Sequence, residues 1–271
     1  MDDPAFAAHY GAGIERTRLV SSGEPSLELV RTLELLDRFL PPPPADVLDV
    51  GGGPGIYAGI LARRGYRVEL IDIVPLHVGQ AAAAAAKQPE APFVAKVGDA
   101  RDLDAHDRSR DAVLLLGPLY HLTEREDRLR ALREARRVLR PGGVLIGGAI
   151  SRFASLLDGL KQGFLADPTF AAIVERDLRE GQHRNPAPVE RPEWFTTSFF
   201  HHPDELAREI ADAGLALAAV LGVEGPGWLL PHRWEDPTRR ESVLKAARAV
   251  EQEPTLLGLS PHLLVMARRP S

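Results

Sequence analysis

Val47-Leu48-Asp49-Val50-Gly51-Gly52-Gly53-Pro54-Gly55 constrains this chain more than any other stretch. An apolar run ends in an acid and then a glycine cluster. That order predicts a buried strand, a tight turn and a helix start. Glycine lacks a Cβ, so such a turn can take positive φ and bring backbone close to a ligand. The first turn of the next helix carries free N–H groups. Ile56, Ile60 and Leu61 give that helix an apolar face, and Gly65 suits its stop. A nucleotide-like ligand is the leading expectation.

The glycines alone do not decide the fold. Gly53-Pro54-Gly55-Ile56-Tyr57-Ala58 also fits the GxGxxA form of the dinucleotide fingerprint. The surroundings are less generic. Arg67 to Asp72 reads as a second strand ending in an acid. Phe93 to Val97 leads to Gly98-Asp99-Ala100, and Asp111 to Leu116 leads to Gly117-Pro118-Leu119-Tyr120-His121-Leu122. A helix closes with Val138-Leu139-Arg140-Pro141-Gly142-Gly143, and Val144-Leu145-Ile146 follows.

With these five motifs in order from Val47 to Ala149, the chain resembles the class I S-adenosylmethionine (SAM) dependent methyltransferases, and most of all their small-molecule, natural-product branch. The resemblance implies an α/β Rossmann-like fold. Its sheet would have seven strands, mostly parallel, with an antiparallel C-terminal hairpin. It implies SAM as cofactor and S-adenosylhomocysteine as product. Asp49 corresponds to the acid that opens the glycine motif. Gly51, Gly53 and Gly55 would pack on the methionine and ribose, and Asp72, followed by Ile73, would accept from both ribose hydroxyls. Asp99 and Ala100 would meet adenine, and Gly117 would lie near the methionine portion. Tyr10 would close over the cofactor. Arg16, Arg18 or Arg31 would pair with its carboxylate.

Composition excludes other classes. The formal charge is −5, which gives no large basic field for nucleic acid. With no cysteine there is neither a disulfide nor a thiolate metal site, and no metal site is expected. No apolar run has transmembrane length, and no signal peptide is visible. A soluble cytoplasmic protein without membrane or nucleic-acid partners is expected.

Four parts are expected. Residues 1–45 form a helical cap: Leu27, Val30, Leu33, Leu36 and Leu40 recur at helical spacing, and four prolines, 41–44, end that helix. Residues 46–150 alternate strand and helix as a SAM-binding core. Within it, Thr123 with Glu126 reads as a capping box for a helix near 124–139. Residues 151–200 read as a helical lid, with helices near 152–164 and 168–180. Residues 201–271 complete the sheet, with a helix near 203–213, strands near 215–223 and 261–268, and a helix near 237–252 between them.

Six of the nine phenylalanines fall in the lid, so an apolar acceptor pocket is expected there. Phe153, Phe164, Trp194, Phe195 and Phe199, with Trp228 at its mouth, are its candidate lining. His121 is the candidate general base, because imidazole titrates near neutrality, and Tyr120 would orient the acceptor. The expected reaction is in-line methyl transfer to a small aromatic or hydrophobic acceptor at nitrogen, oxygen or carbon. A tRNA-base methyltransferase, an NAD-dependent reductase and a non-catalytic SAM-binding regulator are the other readings.

Overall fold

A computed structural model of the protein describes residues 15–21 and 24–271. A short helix, α1 (Glu15–Arg18), leads to a small hairpin of β1 (Val20–Ser21) and β2 (Glu24–Pro25). Helix α2 (Leu27–Phe39) then packs its apolar stripe on the core; the Ser26 hydroxyl caps it by accepting from the Leu29 N–H at 3.1 Å.

The core alternates strand and helix. Strand β3 (Asp46–Val50) leads to α3 (Ile56–Arg63), β4 (Arg67–Asp72) to α4 (Pro75–Ala86), and β5 (Val94–Val97) to β6 (Arg110–Leu115). One turn, α5 (Pro118–His121), then precedes α6 (Arg125–Val138) and the long β7 (Leu139–Ser151). The next stretch holds α7 (Ala154–Gln162), α8 (Pro168–Glu180), β8 (Gln182–His183) and β9 (Ser198–His201). The chain finishes with α9 (Pro203–Asp212), β10 (Ala216–Gly222), α10 (Pro231–Glu235), α11 (Arg240–Val250) and β11 (His262–Arg268).

The sheet runs β10-β11-β7-β6-β3-β4-β5. Neighbours from β5 to β7 are parallel, and β11 is antiparallel to both β7 and β10. This is the Rossmann-like arrangement with its C-terminal hairpin. Strands β3 and β6 are adjacent but far apart in sequence, so the strand order reverses between them. Open α/β sheets bind ligands outside the carboxyl ends of their strands at such a point. The antiparallel β11 brings its first residue, not its last, to that same end.

Both faces of the sheet are buried. Leu48, Val113, Leu115 and Leu145 pack toward α6 and α9 on one face, while Val47, Leu70, Leu114 and Ile146 pack toward α2 and α3 on the other. Strand β9 extends the sheet end by pairing parallel to the last two residues of β7.

Two local expectations need correction. The Thr123–Glu126 capping box does not form: Glu124 is the cap residue of α6 and has no side-chain cap bond. The Arg128 guanidinium instead takes the Leu122 and Thr123 carbonyls, so this corner is held from inside the protein. The Arg140-Pro141-Gly142-Gly143 segment lies within β7 rather than closing α6. A capping box does form where none was expected, between His202 and Glu205 at the start of α9.

Candidate active site

The glycine turn is held by the neighbouring strand end. Gly51 donates to the Ile71 carbonyl at 2.6 Å, and Gly53 donates to Asp72 Oδ2 at 2.8 Å. Asp72 Oδ1 accepts from the Val74 N–H at 2.8 Å and lies 3.3 Å from His77 Nδ1. Gly51 has φ +70°, and a Cβ there would come 2.7 Å from Pro118 Cδ. Only glycine fits, because the β3 turn and the β6 turn touch.

Two adjoining recesses flank this turn and share Gly51, Gly53, Gly117, Tyr120 and Glu15. One, about 700 Å³, also has Arg18, Glu28, Asp49, Tyr57 and His262 in its wall. The other, about 640 Å³, is lined by Asp72, Ile73, His77, Asp99, Ala100 and His121. Acids thus stand on both sides of the glycines.

Asp49 is fully buried, and no side chain among the described residues pairs with its carboxylate, which only the Ala58 backbone N–H eases. Burial, aided by the Asp72 charge, pushes it up to about 7. An unpaired buried acid at a cleft wall is costly unless a cation or donor arrives. The ammonium of a bound amino acid fits that need. Asp99 is held low despite its partial burial, because Arg101 bonds both of its oxygens, the closest contact being 2.6 Å. The residues present therefore fit a ligand with an ammonium, a diol and a flat ring.

A third cavity of about 840 Å³ lies beyond Tyr120. It shares Glu15, Arg18, Tyr120 and His262 with the first recess. Phe170, Trp194, Phe195, Phe200, Trp228 and Ile150 supply its apolar wall. The Phe170 and Trp194 rings are 5.5 Å apart, and His183 stacks on Phe200 at 4.6 Å. His183 is locked by Asp177 at 2.7 Å and the Trp194 carbonyl at 2.8 Å.

The structure brings together most of the expected residues. Asp49, Gly51, Gly53, Asp72, Ile73, Asp99, Ala100 and Gly117 all line the cleft, and Trp194, Phe195 and Trp228 line the third cavity. Tyr10 lies outside the described residues.

Other expectations fail for identifiable reasons. Arg31 does not reach the cleft: it is fully buried, donates to the Val223 carbonyl at 3.1 Å and pairs with Glu34 and Glu251. Among the described side chains, Arg18 is the arginine that lines it, and the Arg16 side chain lies outside them. Gly55 faces away, with Phe93 and Ala81 against it, and serves the left-handed entry to α3 at φ +85°. His121 lines the recess of Asp72 and Asp99, not the aromatic cavity, with its ring 4.5 Å from that of Tyr120. Phe153 covers Gly258 and meets the His202 ring edge-on. Phe164 sits behind Phe170 at 5.4 Å. Phe199 points to the opposite face of β9 from Phe200, where the Arg128 guanidinium lies 3.7 Å over its ring. Strand alternation at β9 was the available signal separating Phe199 from Phe200.

The site also holds residues that sequence reasoning missed. Glu28, Glu224 and His262 form one cluster, each offering a ligand atom within 4.8 Å of the others. His262 opens β11 and Glu224 follows β10. The direction of the last hairpin, already legible, carries both to the cleft end.

Residues 48–147 match the methyltransferase domain family. The ubiquinone biosynthesis O-methyltransferase of Xanthomonas axonopodis pv. citri is 30% identical over 197 residues, which is 72% of this chain and 73% of that protein. The solved SAM-dependent methyltransferase of Methanosarcina mazei covers 87% of this chain, and 97% of its own length is matched, at TM-score 0.59 and 21% identity. That of Mesorhizobium loti covers 90%, with 100% of its own length matched, at TM-score 0.61 and 17% identity. The chain belongs to the class I methyltransferases, enzymes that use S-adenosylmethionine as methyl donor.

Proposed function

We propose that the enzyme methylates a small acceptor with an aromatic or otherwise flat apolar body. One observation carries this reading: the aromatic cavity opens onto the donor cleft at Arg18, Tyr120 and His262. An oxygen acceptor is consistent with the name of the Xanthomonas relative, an O-methyltransferase.

The bound cofactor supplies an electrophilic methyl carbon on a sulfonium. The protein's residues do the rest. Asp49 would take the α-ammonium and Arg18 the carboxylate, once it leaves Glu15 and Glu28. Asp72 would accept from the ribose hydroxyls with the lone pairs that Gly53 and Val74 leave open. Ile73, Asp99 and Ala100 would hold the adenine, and Gly117 would face the methionine chain. Trp194, Phe195, Phe200 and Trp228 would hold the acceptor body, and Tyr120 would align its reacting atom. Such alignment is the main source of rate for a displacement at carbon.

The test is a turnover screen with SAM against phenols, catechols, aromatic amines and indoles, with aliphatic alcohols and transfer RNA in parallel. Methylation confined to the aromatic small molecules supports the reading. Methylation of RNA alone would overturn it.

A further inference from the structure

His262 stands where the donor cleft meets the aromatic cavity and lines both. Its Nδ1 contacts Glu224 Oε1 at 2.5 Å. Glu224 is itself buried and fixed: its Oε2 accepts from the Ser260 hydroxyl at 2.9 Å, and its backbone N–H donates to that hydroxyl at 2.9 Å. With Nδ1 engaged by Glu224, Nε2 is the ring nitrogen left for a ligand. A nitrogen base oriented through its other nitrogen by a fixed carboxylate is the arrangement that general-base catalysis requires.

Resting on the acceptor reading above, we propose that His262 is the general base for a protic acceptor and that Glu224 is its positioning residue. The acceptor heteroatom bonds to the methyl carbon while the carbon–sulfur bond breaks toward sulfur, leaving a neutral thioether. The acceptor's proton passes to His262 Nε2 and then to solvent. His121 has no part in this step, because it lines the other recess.

The charges around His262 set when it can act. Glu28 on α2 and Glu224 after β10 face it, with Arg18 on α1 opposing them; Glu15 and Tyr120 line the same junction. Burial alone would pull the ring down, but the two carboxylates outweigh burial and Arg18 and hold it at about 9. The two carboxylates thus favour the protonated ring before cofactor binds. A sulfonium held in the cleft that His262 lines would add a positive charge that favours loss of that proton. Cofactor binding thus prepares the base, and S-adenosylhomocysteine, which lacks the sulfonium, does not.

This can be read without any acceptor. Calorimetric titration of the full-length protein at about pH 8, in two buffers of different ionisation enthalpy, counts protons released on binding. SAM is expected to release at least ~0.3 proton more than S-adenosylhomocysteine. The excess should vanish in His262→Gln and fall in Glu224→Gln, with S-adenosylhomocysteine affinity within about threefold of wild type showing that each variant is folded. Equal proton counts for the two ligands, or an excess that survives His262→Gln, would overturn the proposal.

Turnover gives a second arm. His262→Gln should lose ~10²–10⁴-fold in kcat on 4-methylphenol but under ~tenfold on 4-nitrophenol, already largely ionised at about pH 8. Equal losses on both phenols would make His262 structural. Wild-type failure on every phenol would instead count against the acceptor reading and leave the proton count as the judge of His262. If turnover needed an added divalent ion and stopped with a chelator, Glu28, Glu224 and His262 would be metal ligands, and the base assignment would be wrong.

Discussion

The Gly53 N–H donates to Asp72 Oδ2 at 2.8 Å, so one carboxylate both shapes the glycine turn and faces the cleft beside it. Removing that carboxylate should strike the turn and the ribose contacts together. Asp72→Ala is expected to weaken S-adenosylhomocysteine binding by roughly 10–100-fold, the range for lost charged hydrogen bonds. Calorimetry checks it. Unchanged affinity would mean that the ribose sits elsewhere.

Arg31 belongs to the frame rather than to the cofactor. It ties α2 to Glu251 just past α11 and to the Val223 carbonyl. Arg31→Leu leaves a buried carboxylate short of a partner, so stability should fall by ~3–5 kcal/mol in urea unfolding, with S-adenosylhomocysteine affinity of the folded protein within about threefold. A stable variant that binds poorly would restore Arg31 to the cofactor site.

The Arg128–Glu209 pair predicts an acid limb. Its closest contact is 2.7 Å, and His201 Nε2 lies 3.3 Å from Glu209. Although burial opposes it, His201 and Arg128 hold the Glu209 carboxyl low, at about 2 rather than 4.5. A folded value below the unfolded one stabilises at neutral pH. That contribution is present above about 4.5 and is lost as pH falls toward 2. Glu209→Gln should lower stability at pH 7 by ~3–5 kcal/mol and flatten the acid decline between those two values. Parallel wild-type and variant acid profiles would remove Glu209 from the cause.

His121 is expected to matter for binding, not chemistry. His121→Ala should weaken S-adenosylhomocysteine binding by roughly 3–10-fold and leave kcat within about threefold, because the ring lines the recess of Asp72 and Asp99. A large loss of kcat at unchanged affinity would return it to the acceptor side.

What was legible in the chain follows a physical divide. The ends of β3, β4 and β6 were readable because apolar runs stop at Asp49, Asp72 and Gly117, and parallel strands deliver those residues to one cleft. The fate of a long side chain was not readable. Arg31 and Arg18 look alike in sequence, and only the packing of α2 against the Glu251 turn buries one and exposes the other to the cleft. The aromatics of the 151–200 stretch divided similarly: Phe199 and Phe200 are neighbours on opposite faces of β9, and Phe164 backs Phe170 instead of the cavity. His262 escaped notice because its partner Glu224 is 38 residues away and meets it only through the last hairpin.

The acceptor cavity is the central claim, and filling it is the direct test. Ser155 lines the cavity, its hydroxyl is buried with no hydrogen-bond partner among the described residues, and it is not part of the donor cleft. The measurement is S-adenosylhomocysteine affinity together with methyl turnover in Ser155→Phe. Affinity within about threefold of wild type, with turnover of an aromatic acceptor down at least ~tenfold, is the predicted result. Full turnover in that variant would contradict it and place the acceptor outside the aromatic cavity.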